Sequence, residues 1–193
     1  MRRLAVFLGC LALASAAGCH HVVKTPAEAY DKFSAAVKAQ NGAALFDALD
    51  QQTRWDWMTI QKYHREAYDI VLSNYPEGAE REREAHRFQG GATATSAREL
   101  FSAEVAPHLL PTLVPLAQGN AKIEKVEGDA DNRATAVLAS GARVPLARGE
   151  DGGWGYAGLA RDAEELKTRA YHDLEVVRAS AADYERAATR ATK

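Results

Sequence analysis

The side chains best suited to chemistry here are two Cys and six His spread over 193 residues. His64 with Glu66 and His86 with Glu82 come nearest to metal-ligand pairs. Side chains at i and i+2 of a helix point to different faces, which separates the first pair, and the second sits in a charged run that reads as a solvated face. His20-His21 lacks a third ligand nearby and reads as polar tether. Gly-x-Ser-x-Gly, Walker, Cys-x-x-Cys and His-Glu-x-x-His patterns are all missing, so nucleotide, thiol-redox and zinc-protease chemistry find no support. No catalytic residue, metal or cofactor is expected. Trp55 and Trp57 offer two readings, a ligand mouth or core packing.

The cysteines are explained by the elements around them. Met1, Arg2 and Arg3 give a positive start, and Leu4 to Ala17 form an apolar stretch interrupted by Gly9 and Ser15. A membrane-spanning helix needs roughly 20 apolar residues, so this stretch reads as an export signal. It ends in Ala16-Ala17-Gly18-Cys19, which resembles the lipobox of bacterial lipoproteins. The resemblance implies that residues 1–18 are removed and that Cys19 becomes residue one, lipidated on sulfur and acylated on its amine. Cys10 leaves with the leader, so no internal disulfide is available. His20 in place of Asp after the cysteine implies, by the same resemblance, the outer rather than the inner membrane of the cell envelope. The alternative is a plain secreted protein cut after Ala14-Ser15-Ala16, which would leave Cys19 a lone thiol in an oxidising compartment.

From Cys19 onward 22 basic residues face 26 acidic ones, a balance of −4 that does not suit nucleic-acid binding. That portion holds 34 Ala but only 31 Leu, Ile, Val and Phe. Alanine buries little area, so Trp and Tyr must supply much of the core contact.

The pattern predicts one α+β domain over residues 25–193: helices over 25–117, strands over 121–158 and a C-terminal helix over 160–190, with 19–24 as tether. Thr25-Pro26-Ala27-Glu28 is a helix start with a cap, a first-turn proline and a returning carboxylate. That helix stops at Asn41-Gly42, and Ala43 to Asp50 completes a helical hairpin. Thr53-Arg54-Trp55-Asp56 reads as the cap of a longer helix ended by Pro76. On it Trp57, Ile60, His64, Ala67, Tyr68, Val71, Leu72 and Tyr75 follow a 3.6-residue period and read most simply as core. Glu77 to Arg87, followed by Gly90-Gly91, holds almost nothing to bury and reads as a solvated helix or a mobile loop. Ser96 to Glu99 restarts a helix, and Pro107, Pro111 and Pro115 are expected to chop the stretch Leu109 to Leu116 into short apolar turns. Turn residues then separate four short strands in an antiparallel meander. Pro145 lacks a ladder donor, so its strand is expected at an edge or with that position facing solvent.

The segments TPAEAYDKFSAAVKAQNGAALFDAL and ARVPLARGEDGGWGYAGL resemble the lipoprotein members of the nuclear-transport-factor-two-like superfamily, small cone-shaped α+β domains. Some enzymes of that shape use a tyrosine, histidine and aspartate set in a cavity. Tyr63, His64, Tyr68 and Asp69 are the residues here able to imitate it, and of these only His64 and Tyr68 share the apolar stripe with Trp57. A pocket around Trp57, His64 and Tyr68 is therefore one expectation, and a core histidine is the other.

The expectation for function is a membrane-anchored, non-catalytic module that binds an envelope protein or an apolar ligand, with a cavity enzyme as rival. Replacing Cys19→Ala is expected to remove the acyl mass and move the processed protein from detergent to water on phase separation. A processed Cys19→Ala product that still partitions into detergent, unchanged in mass apart from the swapped residue, would refute the anchor.

Overall fold

The computed structural model describes residues 22–119, 121–128 and 132–191. The leader, Cys19 and His20-His21 lie outside them.

Thr25 opens α1 (Pro26–Lys38), its hydroxyl accepting from the Glu28 N–H. Asn41 caps α2 (Gly42–Ala48) in the same way. The cap of α3 (Gln51–Asn74) differs from expectation: Asp50 accepts from the Thr53 N–H at 3.1 Å, and the Thr53 hydroxyl donates to the other Asp50 oxygen. Either residue type can cap. Asp50 does so because its own N–H is bound to the Tyr156 carbonyl at 3.0 Å, which holds it outside the helix.

The charged segment is ordered as α4 (Ala79–Thr93), anchored by the buried Phe88, whose burial contributes roughly 2 kcal/mol. Gly90-Gly91 is not a loop. A Cβ on Gly91 would lie 2.4 Å from the His64 Cβ, so glycine lets α4 lie directly on α3. α5 (Ala97–Leu100) runs through a π turn (Phe101–Val105) into α6 (Ala106–Leu113), and a 3₁₀ turn covers Val114–Leu116. The prolines break this segment less than expected. Pro107 and Pro115 fall in first turns, where no N–H is missed, and only Pro111 lies inside a helix.

The four strands are β1 (Ile123–Gly128), β2 (Arg133–Leu138), β3 (Arg143–Arg148) and β4 (Trp154–Tyr156), an antiparallel meander in the order β1-β2-β3-β4. The Pro145 strand is therefore interior, and its side chain is exposed. Its carbonyl accepts from the Ala157 N–H just past β4, while the Ala157 carbonyl accepts from Ala160, so the missing donor leaves no acceptor stranded.

One face of the sheet, through Ala134, Ala136, Val144, Leu146 and Tyr156, packs on α1. Phe33 stacks on Tyr156 with ring centroids 4.2 Å apart. Burial pushes the Tyr156 hydroxyl up to about 12.

The chain ends in α7 (Ala160–Ala191), which packs on α3. Three pairs join them at sequence separations of 111, 112 and 111: Lys167 with Asp56, Arg178 with Glu66, and Asn74 with Glu185. A nearly constant offset means that the two helices run parallel and nearly aligned over about 27 Å. α4 runs against them, since Arg87 meets Asp173 while the earlier Glu80 meets the later Tyr184. The three helices enclose a second apolar cluster that includes Ala67, Val71, Phe88, Leu174 and Val177.

Val23 already belongs to the fold, because Trp154 donates to its carbonyl at 2.9 Å, and Lys24 donates to Glu28 at 2.9 Å. Residues 23 and 24, expected as part of the tether over 19–24, therefore belong to the fold.

Asp56 is buried, receiving Lys167 Nζ at 2.6 Å and Gln52 Nε2 at 3.0 Å. Lys167→Met is expected to cost roughly 3 kcal/mol by stranding the carboxylate. The double change Asp56→Leu with Lys167→Met should recover most of that loss in urea denaturation.

Candidate functional site

Three turns of α3 set Trp57, Ile60 and His64 along the side facing α7. α4 adds Arg87 and Phe88, the π turn adds Glu104 and Val105, and α7 adds Leu166, Arg169, Ala170 and Asp173. Together these bound a cavity of about 390 Å³. The π turn matters because its wider coil, closed by the Ala106 N–H on the Phe101 carbonyl, carries Glu104 at the cavity.

Of the expected pocket residues, Trp57 and His64 meet here and Tyr68 does not. Tyr68 is one turn further along and packs against the second apolar cluster. Tyr63 packs on Tyr171, with centroids 5.7 Å apart, and Asp69 is exposed, so the tyrosine, histidine and aspartate set is not assembled. Trp55 and Trp57 diverge: the first is 42% exposed, the second 5%. Trp57 stands edge-on to Phe101 at 5.3 Å, and its indole N–H has no acceptor among the described residues. No group of three or more His, Cys, Asp and Glu among the described residues is placed to hold a metal.

His64 sits edge-on to Phe88 at 5.8 Å. Burial lowers its pKa from 6.5; Glu104 and Asp173 oppose that shift, and Arg87 adds to it. The imidazole is therefore neutral at pH 7. Arg87 is bound to Asp173 at 2.5 Å, which neutralises both. Arg169 and Glu104 have no ion-pair partner among the described residues, leaving one cation and one anion beside the apolar Trp57, Ile60, Phe88, Val105, Leu166 and Ala170. That arrangement suits a ligand with an apolar body and a polar end. Serine, cysteine and threonine do not line it.

A second, larger concavity of about 840 Å³ lies over the outward face of the sheet, beneath the starts of α3 and α7. Arg133, Arg143 and Arg161 face Glu127, Glu164 and Asp56 there. Its charges are largely paired: Arg143 meets Glu127 at 2.5 Å, Arg161 meets Glu165 at 2.9 Å, and Asp56 holds Lys167. The available signal for this site was the outward set Arg133, Thr135, Arg143, Pro145 and Ala147, alternating with the buried Ala134, Ala136, Val144 and Leu146. The strands alone did not say that two helices would return over that face.

No protein-family profile, curated protein or solved structure matches this chain. The described residues contain no helix long and apolar enough to cross a membrane.

A base whose folded pKa is lowered is protonated first in the unfolded chain. Its effect is therefore absent above pH 6.5, and stability falls as the pH drops through 6.5 toward the folded value. His64→Gln should flatten that part of the profile. Denaturation midpoints of both proteins above and below pH 6.5 test this, and parallel profiles would refute it.

Proposed function

We propose that this protein is a lipid-anchored envelope module that binds a small amphipathic molecule between α3, α4 and α7, without catalysing a reaction on it. The observation that carries the reading is the cavity at Trp57 and His64. Trp57, Ile60, Phe88, Val105, Leu166 and Ala170 form its apolar wall, and its polar groups are His64 together with Arg169 and Glu104, unpaired among the described residues, beside a neutralised Arg87–Asp173 pair. The lipobox-like end of the leader supports the anchor. The layer of α1 on an antiparallel sheet supports the resemblance to cone-shaped lipoproteins, and the α3–α4–α7 arm is an addition to that shape. An enzyme reading would need a nucleophile or an oriented base. The described residues supply no hydrogen-bond partner to orient His64.

The test is thermal unfolding with dodecanoate and with dodecylamine, whose opposite head charges distinguish Arg169 from Glu104 as the polar contact. At a ligand concentration of 100 times Kd, binding adds about 2.7 kcal/mol, or a rise of about 5–10 °C in Tm for a domain of this size. Leu166→Trp, which fills the cavity, should abolish the rise. A shift that survives Leu166→Trp, or no shift with either probe, would end the receptor reading.

A further inference from the structure

The exposed positions of α3 include Trp55, Met58, Lys62, Arg65, Asp69 and Leu72, spaced alternately by three and four residues. They form one line along the side of the helix opposite Ile60, Ala67 and Val71. Its beginning is apolar: Trp55 is 42% exposed and Met58 56%. Two cations follow, against the single acid Asp69. One turn before Trp55, Gln51 accepts from the Asp151 N–H at 3.3 Å, and Arg54 lies 4.0 Å from the Asp151 carboxylate. The turn between β3 and β4 that holds Asp151 also carries Gly153, beside which Val22 lies, itself 45% exposed. The described chain therefore begins next to the apolar end of this line.

Three peptide units join Cys19 to Val22, a reach of at most about 11 Å. A tail attached to Cys19 holds this side of the domain against the lipid headgroups. Tryptophan is the side chain favoured at that depth, and lysine and arginine are drawn to an anionic surface.

We propose that the α3 line headed by Trp55 and Met58, together with Val22, rests on the surface of the bilayer that holds the anchor. This rests on the anchoring reading above and adds the face that meets the lipid. Lys62 and Arg65 then lie over anionic headgroups, and the α7 side of the arm faces away from the membrane.

The test uses the full chain, processed in a lipidating host. With Cys10 removed and Cys19 acylated, an introduced thiol is unique. A polarity-sensitive dye is placed at Met58→Cys or at Val176→Cys. Val176 is 48% exposed on α7, outside its α3-facing line, and serves as the control. Each protein is reconstituted in vesicles of phosphatidylethanolamine and phosphatidylglycerol carrying brominated acyl chains. The expected result is a blue-shifted, bromine-quenched dye at 58 and an unshifted, unquenched dye at 176, with Lys62→Glu weakening the signal at 58. Acylated, vesicle-bound protein whose dye at 58 behaves like that at 176 overturns the proposed face while leaving the anchor intact, as it would if a protein helix were the true occupant. An unacylated mass overturns both.

Discussion

Close approach between helices is the constraint on which the arm of this molecule depends. With so few large aliphatic residues, the arm cannot be held by bulk alone. α3 and α7 meet through Ala67, Val71, Ala170, Leu174, Val177 and Ala181, and small side chains bring the two backbones near enough for modest residues to make dense contact. Parallel alignment follows from the nearly constant offset between partners, and α4 can join only because Gly91 removes a side chain where it meets His64. The cavity lies where this three-helix packing gives way to the π turn, so its shape is a by-product of how the seam closes.

A second junction sets the arm relative to the sheet. Asp50 caps α3 with its side chain while its backbone donates to Tyr156 at the end of β4. A Cβ on Gly155 would lie 2.5 Å from the Asp50 nitrogen, so the chain passes this point only over a glycine. The start of α3 is thereby pinned to the sheet edge that also receives Val23. One small region fixes the direction of the longest helix pair, the roof of the outward groove and the point where the N-terminal segment leaves the domain.

Much of the framework was legible. Thr25 caps because its side chain satisfies an amide close by in sequence, whereas Asn41, read as the end of the first helix, also caps the second. The strands alternate because one face is buried, and the long terminal helix shows its line in steps of three and four. The failures share a cause. The charged run Glu77 to Arg87 allowed a solvated helix or a mobile loop, and the helix forms because Phe88, just beyond it, is buried between α4 and its neighbours. Gly90-Gly91 reads as part of a solvated helix or mobile loop, and only the structure brings Gly91 against His64. Asp50 and Thr53 both satisfy the rules for a cap, and a hydrogen bond to a strand more than a hundred residues away decided. The pocket was half legible: Trp57 and His64 share a cavity, but Tyr68, on the same stripe, lies one turn beyond the point where the cavity closes.

The sequence by itself determined the kinds of element, their order, the α+β class and the expectation of an acylated Cys19, because each depends on bonds and periodicities local to the chain. Tertiary structure alone decided the parallel seating of α7 on α3, the burial that keeps His64 neutral, the meeting of Glu104 and Arg169 at one cavity, and the side of α3 left bare. Those features come from contacts between residues roughly twenty to more than a hundred positions apart. Their energies depend on which surfaces exclude water together, and no local pattern records that choice.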